Sequence, residues 1–384
     1  MAIITTPKRL THSRGKSSIL SYLKVVCLCM FFFMVGLNLN HISNWSERNA
    51  DYDDKIVLTD LIINGKDKGN NDNNNRDVDD NKKNDFKLAY DQSFGFFDDI
   101  SSDHWRIYQQ IVSEYIPHKN PADPREFVPG HSVRKQSWFN SPRAFYQTNY
   151  EPNFSCAFER RIGGNGNGDG PKWVCDPHRL KRISQQRKLQ NKGGCLVYSI
   201  GSNGDYQFES GLQTMLGSPD ICEIHIFDFG DFEEKMPKGL NLHYHRWGIE
   251  QGNDNGRENI SVEDIEKGKQ FYSLAETVKL LGHDSRDTID IFKIDCEKCE
   301  WRTWKNWFGP SMPMLQQILV ETHATPKDYV LPFFNGIMDN GYVMFHKEPN
   351  IQFAGGDAME FAFLKLNNAF FPKDNNNNID DGNQ

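Results

Sequence analysis

The chain has 384 residues, a formal net charge of -8 and 38% hydrophobic residues. That length suits one large domain with appendages, or two domains. The acidity, with no basic stripe beyond the N-terminus, excludes nucleic acid as the main partner, and eight cysteines are too few to make a chain this long a disulfide scaffold.

Residues 1–24 carry Lys8, Arg9, Arg14, Lys16 and Lys24 and no acid, and are read as a cytoplasmic basic tail. Val25 to Leu37 is an almost unbroken apolar run; with Ile19 to Leu23 and Leu39 it approaches the ~20 residues of a membrane helix. Residues 25–39 are therefore predicted to be the core of a signal anchor. The cationic flank stays in the cytosol, and the remainder lies in the lumen or outside. A cleaved signal peptide is the rival, but no small-x-small site follows. Three N-x-S/T sequons, at Asn44, Asn153 and Asn259, agree with a lumenal bulk.

Residues 40–100 read as a hydrophilic, largely disordered stem, because Asn64 to Asn84 is almost all Asn, Asp, Lys, Gly and Arg and cannot bury a core. Residues 101–190 form an accessory helical and loop region. In it, Ser101 to Ile116 is predicted to be an amphipathic helix with Ile107, Ile111 and Tyr115 on its apolar face. Cys156 and Cys175 flank a Gly/Asn loop and are either bridged or two separate thiols.

Residues 191–368 form the main domain. Cys195 to Ile200 is an apolar, β-branched run between glycines, the pattern of a buried strand. Gly201 and Gly204 then permit a tight turn. Asp205 opens a helix with Phe208, Leu212, Met215 and Leu216 on one side. Strand, glycine turn and helix N-terminus together predict free N–H groups facing a ligand. Ile221 to Phe227 makes the second strand and ends on Asp228, placed to accept hydrogen bonds from ribose hydroxyls. The turn is not G-x-G-x-x-G, and Gly15-Lys16-Ser17 lacks the first glycine of a P-loop, so neither phosphate motif applies.

Further strands are expected at Leu242 to Ile249, Ile289 to Ile294 and Gln317 to Glu321. Ser273-x-x-Glu276 is a capping box opening a helix that stops at Gly282. A helix around Tyr329 to Met338 and an antiparallel pair, Tyr342 to His346 with Glu360 to Leu366, complete the domain. Residues 369–384 are an Asn/Asp-rich tail. Alternation of this kind predicts a mostly parallel α/β sheet, with its site beyond the carboxyl ends of the strands. Those ends carry Ser199 to Asp205, Asp228, Trp247 with Gly248, Asp295 with Glu297, and Glu321 with His323.

Taken together, Val197-Tyr-Ser-Ile-Gly-Ser-Asn-Gly-Asp-Tyr, His225-Ile-Phe-Asp-Phe, Asp290-Ile-Phe-Lys-Ile-Asp-Cys-Glu and Ile318-Leu-Val-Glu-Thr-His resemble the FkbM-related methyltransferases. The resemblance is closest to the group containing methyltransferase-like protein 24 and covers roughly Trp173 to Leu366. It implies a class I, Rossmann-like fold: a mostly parallel seven-stranded sheet with the last strand antiparallel, binding S-adenosylmethionine. By this resemblance Gly201, Asn203 and Gly204 surround the methionine end of the cofactor, Asp228 holds the ribose, and Asp295 and Glu321 sit at the methyl-transfer rim; the strand ends add Ser199 and Gly248 to the expected cofactor site and His323 to the rim. The chain departs from the family pattern at Ser199, where an acid usually stands, and at Lys298, where a D-x-E-G run has glycine.

The expected activity is methylation of a hydroxyl on a glycan or small molecule, with Asp295, Glu321 or His323 as base. Cys296-x-x-Cys299 lacks a second ligand pair for structural zinc, so packing or a disulfide is expected. Asp295-x-Glu297 is read as an acidic pair without metal. A Golgi-type glycosyltransferase is the enzymatic alternative, but the D-x-D triplets at Asp51 and Asp77 fall in the stem. A third reading, a degenerate fold that only binds, is motivated by Ser199 and Lys298.

Overall fold

A computed structural model of the chain describes residues 85–115, 142–147, 149–164, 170–251, 270–324, 327–351 and 355–371. The basic tail, the predicted anchor, the Asn/Asp-rich part of the stem and residues 372–384 of the C-terminal tail lie outside these residues, as do the sequons at Asn44 and Asn259 and both D-x-D triplets; residues 369–371, given to that tail, are folded and bury Phe370. Among the described residues no helix is long and apolar enough to cross a membrane.

The core is one seven-stranded sheet. Its strands, named in chain order with β1 (Arg160–Ile162) and β2 (Lys172–Val174) forming a separate hairpin, are β3 (Cys195–Ile200), β4 (Cys222–Phe227), β5 (Leu242–His245), β8 (Thr288–Ile294), β9 (Met314–His323), β10 (Tyr342–Pro349) and β11 (Ala358–Lys365). Their order across the sheet is β10-β11-β9-β8-β3-β4-β5. β3, β4, β5, β8 and β9 pair in parallel, and β11 runs antiparallel between β9 and β10. The expected mostly parallel sheet with an antiparallel last strand is present. β3 and β8 are buried along their whole length because both sheet faces are covered, which is why they read as continuous apolar runs.

Of the helices, α1 (Lys87–Gln92), α2 (Ser102–Tyr115) and α3 (Pro142–Tyr146) precede the sheet, and α4 (His178–Leu189) leads into β3. The helix α5 (Gln207–Leu216) follows the glycine turn and buries Phe208, Leu212 and Leu216, leaving Met215 in solvent. It stops at Gly217, whose φ of 80° is the left-handed C-terminal cap that glycine adopts without strain. α6 (Leu274–Leu280) opens on the predicted capping box, with Ser273 and Glu276 each bonding the other's backbone amide. α7 (Glu300–Thr303) and α8 (Lys327–Asp339) are the last α-helices among the described residues.

Four sequence expectations change here. Residues 85–100, given to the stem, are folded: α1 and the following turn bury Ala89, Phe96 and Phe97. α2 forms where expected but buries a different side. Ile107 and Ile111 are exposed, while Trp105 and Val112 go inward, because Trp105 joins an aromatic cluster with Phe97, Phe154 and Phe370. Leu242 to Ile249 is two strands, since the chain leaves the sheet after His245 and pairs again only as β6 (Gly248–Ile249) with β7 (Phe271–Tyr272). Finally, Cys195–Cys222 is a disulfide that was not foreseen, whereas the Cys156–Cys175 and Cys296–Cys299 disulfides were among the expected outcomes. Cys195 and Cys222 are direct partners across β3 and β4.

Candidate functional site

The carboxyl ends of β3, β4, β8 and β9 meet at one rim, which has two halves. In the first, β3 delivers Ser199 and then the turn of Gly201, Ser202, Asn203 and Gly204. Gly201 has φ +77°, and a Cβ there would stand 1.6 Å from the carbonyl oxygen of Asp295. Only glycine lets this loop lie against the end of β8. The buried Lys293 of β8 donates to the Gly201 carbonyl at 2.9 Å and braces the same contact. Asn203, at φ 47°, takes a left-handed conformation that asparagine tolerates.

Asp228, at the end of β4, points at this turn and ties it down. Its Oδ2 accepts from the amides of Ser202 (3.0 Å) and Asn203 (2.7 Å), and its Oδ1 from that of Gly230 (2.9 Å). Gly201 N–H donates to the Phe227 carbonyl, Gly204 N–H to Ser202 Oγ and Asp205 N–H to the Ser202 carbonyl. The expectation of free amides is thus corrected: every N–H from 201 to 205 has a partner inside the protein. The reason is electrostatic, since a buried carboxylate one strand away draws the amides inward. The turn therefore offers a ligand no free backbone donor.

A second carboxylate agrees with that polarity. Ser199 Oγ donates to Oε1 of Glu209, a residue of the first turn of α5 that is 1% exposed. Its Oε2 is buried without a hydrogen-bond partner. A carboxylate therefore stands beside Ser199, supplied by the helix instead of the strand. Gly248 is buried in β6 and lies beneath the rings of Phe271 and Phe229, the residue after Asp228, so an apolar wall adjoins that carboxylate.

The second half is charged. Lys172, on β2, is buried and places its ammonium 3.0 Å from Glu321 Oε2 and 3.4 Å from Asp295 Oδ2, and also bonds Glu360 of β11. Burial alone would lower the pKa of Lys172, but the carboxylates of Glu360, Asp295 and Glu321 outweigh it and hold the ammonium charged. Burial pushes Glu321 up, yet Lys172 first, then bonds from its neighbours, bring it down to about 2. Glu360 moves the other way, raised by full burial.

His323 completes this half. Its Nδ1 is 3.2 Å from Glu300 Oε1, and its Nε2 lies 3.5 Å from Glu297 and 3.8 Å from Asp295. Burial would lower its pKa, but the Glu300 hydrogen bond and the charges of Glu300, Asp295 and Glu321 raise it to about 9. At neutral pH it is an imidazolium, which holds carboxylates in place and does not accept a proton. Asp295, Glu321 and His323 offer ligand atoms within 4.8 Å of one another, a spacing that could hold a metal ion. The Lys172 ammonium already pairs with two of the three, Asp295 and Glu321.

The turn after Asp295 carries the other departure from the family pattern. Glu297 and Lys298 have φ of 54° and 86°, values that favour glycine. The Cys296–Cys299 disulfide closes across them and covalently holds a turn that glycine would adopt freely. Trp301 and Trp307 pack inward, and Trp301 Nε1 donates to the His323 carbonyl.

The sequence-predicted residues thus fall into two sets. Ser199, Gly201, Asn203, Gly204, Asp228 and Gly248 surround the turn, while Asp295, Glu321 and His323 form the charged half. Sequence reasoning missed Lys172, Glu209, Lys293, Glu300 and Glu360. Only Lys293, a charge inside an apolar strand run, left a local signal; Lys172 comes from a hairpin more than a hundred residues upstream of its partners.

Comparison with known proteins agrees with this architecture. No curated protein matches the chain. A family model described as a methyltransferase domain matches residues 87–365, which include all seven strands of the sheet and both halves of the rim. The chain belongs to that methyltransferase-domain family and is a methyltransferase.

Proposed function

We propose that the methyl donor is S-adenosylmethionine and that the acceptor is a hydroxyl on a glycan or small molecule. The observation that carries the donor is the polarity of the first half. A turn without free amides is a poor phosphate cradle. Acceptor oxygens on Asp228 and Glu209 suit a ligand with ribose hydroxyls, an ammonium and a sulfonium. Asp228 Oδ1 takes one amide bond and keeps acceptor capacity for a hydroxyl. Ser199 and Glu209 would hold the ammonium, and Phe229 beside Gly248 would pack on the base. When bound, the cofactor supplies an electrophilic methyl group.

The chain's own residues position the acceptor and take its proton. Asp295 is the base in this reading: its side chain is 20% exposed, while that of Glu321 is 4% exposed and held by Lys172 and Asn350. Lys172 at 3.4 Å and His323 at 3.8 Å flank Asp295 and hold its carboxylate in place.

The setting we propose is the secretory pathway: a single-pass chain anchored by residues 25–39, with its catalytic domain in the lumen. Cys156, Cys175, Cys195, Cys222, Cys296 and Cys299 all lie in disulfides, which persist in oxidising compartments and are rare in the cytosol. Against a degenerate, binding-only fold, Glu209 supplies the carboxylate missing at Ser199 and the Cys296–Cys299 bridge holds the turn that lacks glycine at Lys298.

Calorimetric titration of the full chain with S-adenosylmethionine tests the donor, with micromolar binding expected; no heat at millimolar ligand would overturn it. Labelled methyl transfer to a panel of glycans and small hydroxyl compounds then tests the acceptor. Binding without transfer to any of them would favour the binding-only reading.

A further inference from the structure

A second cluster of ligating side chains lies on the body of the sheet, apart from the rim. Along β4, Glu223, His225 and Phe227 alternate onto one face. The register with the edge strand β5 sets His225 opposite His243 and Phe227 opposite His245. Glu223, His225, His243 and His245 therefore project from the same side of two adjacent strands. Glu223, His225 and His243 each offer one ligand atom, and these atoms all lie within 4.8 Å of one another.

Burial grades across the three: His225 is buried, Glu223 half-buried and His243 exposed. The cluster thus opens to solvent at the sheet edge. His225 Nε2 lies 3.1 Å from Glu223 Oε1, and the other ring nitrogen, Nδ1, lies 2.8 Å from His245 Nε2. An imidazole held at its far nitrogen by a second polar group is the usual arrangement of a metal-ligating histidine. Arg286 approaches the second oxygen of Glu223 only to 4.0 Å, which leaves Oε1 to its histidine. The ring of His283 meets that of His225 edge-on from behind and is itself tied to the Tyr198 hydroxyl at 2.7 Å.

We propose that Glu223, His225 and His243 form a binding site for one divalent transition-metal ion, zinc above all, with His245 orienting His225. Two imidazoles and a carboxylate are a zinc-type donor set, whereas magnesium and calcium select oxygen. Three protein ligands leave one coordination position for water. The ion would clasp the edge strand β5 to β4, the strand that ends at Asp228.

The test uses the full chain, stripped with chelator and titrated with zinc by calorimetry, with bound metal counted by mass spectrometry. We expect one zinc per chain surviving gel filtration, and no binding of magnesium at this site. His243→Ala should lose that zinc or weaken it tenfold or more. His243 is exposed, so the metal-free variant should melt with the metal-free parent. Excess zinc should raise the melting temperature of the parent and not of the variant. His245→Ala should weaken zinc about 10–100-fold through His225. Zinc held equally well by His243→Ala, or lost in Asp295→Asn instead, would place the ion elsewhere and overturn the proposal. So would the absence of retained zinc.

Discussion

The two halves of the rim are built by opposite means. The turn from Gly201 to Gly204 and its carboxylate Asp228 come from one β-α-β unit, contiguous in sequence and held by backbone amides. The charged half is assembled from four separated segments: the β2 hairpin, the end of β8 with the start of α7, the end of β9, and β11. Backbone geometry fixes the first half, so little but glycine can stand at its contact point. Balance of buried charge fixes the second, so loss of its shared ammonium is felt by three carboxylates at once.

The sharpest way to break the first half is Gly201→Ala. The new Cβ would lie 1.6 Å from the Asp295 carbonyl oxygen, against 3.4 Å or more for ordinary contact, and φ is +77°. The turn or the end of β8 must then withdraw by more than an ångström. We expect cofactor binding and methyl transfer to vanish together, read by calorimetry and labelled transfer. Gly204→Ala is the graded comparison: its Cβ would meet only the side chains of Phe232 and Lys235 at 3.1 Å. It should bind measurably.

In the second half, Lys172→Met removes the one ammonium shared by Asp295, Glu321 and Glu360. Leaving buried carboxylates uncompensated costs about 3–5 kcal/mol, read as a fall in chemical-denaturation midpoint. Adding Glu360→Gln should restore part of that stability. If the double variant is no more stable than Lys172→Met, the shared-charge account is wrong. Asp295→Asn asks a narrower question. It should leave the fold and cofactor affinity near those of the parent and lower kcat by about 10²–10⁴-fold, the usual contribution of a positioned base. An equal loss in cofactor affinity would move Asp295 from the base role to the cofactor site.

The same contrast explains what could be read in advance. Cys195 to Ile200, the glycine turn and Asp228 were legible because a buried parallel strand, a left-handed turn and a strand-end acid each leave a local mark. The occupancy of the amides was not, since it depends on where Asp228 points across a strand. Lys172 was invisible for a different reason: in its hairpin it reads as an ordinary solvated lysine, and only the tertiary fold brings it to Glu321. Ile107 and Ile111 misled because helical spacing marks two candidate faces on α2, and the aromatic cluster around Trp105 decided between them. The Cys195–Cys222 bridge follows from a register that no spacing rule supplies.

The smallest effect we expect is the pH dependence of the charged half. His323 is raised to about 9 in the folded protein, by Glu300 and its neighbours against the effect of burial. Its unfolded value is near 6.5. The folded state binds the extra proton between these values, so the stabilisation is complete below about pH 6.5 and is lost as pH rises through 9. At the acid end Glu321, lowered to about 2, contributes above its unfolded value and loses that contribution as pH falls toward 2. Stability should therefore form a plateau from about pH 5 to 6.5. On the alkaline side the loss by pH 10 should be on the order of 3 kcal/mol, and His323→Gln should flatten that limb while leaving the acid limb in place. An alkaline limb unchanged by the substitution would show that the imidazolium is not what joins Glu300 to Asp295.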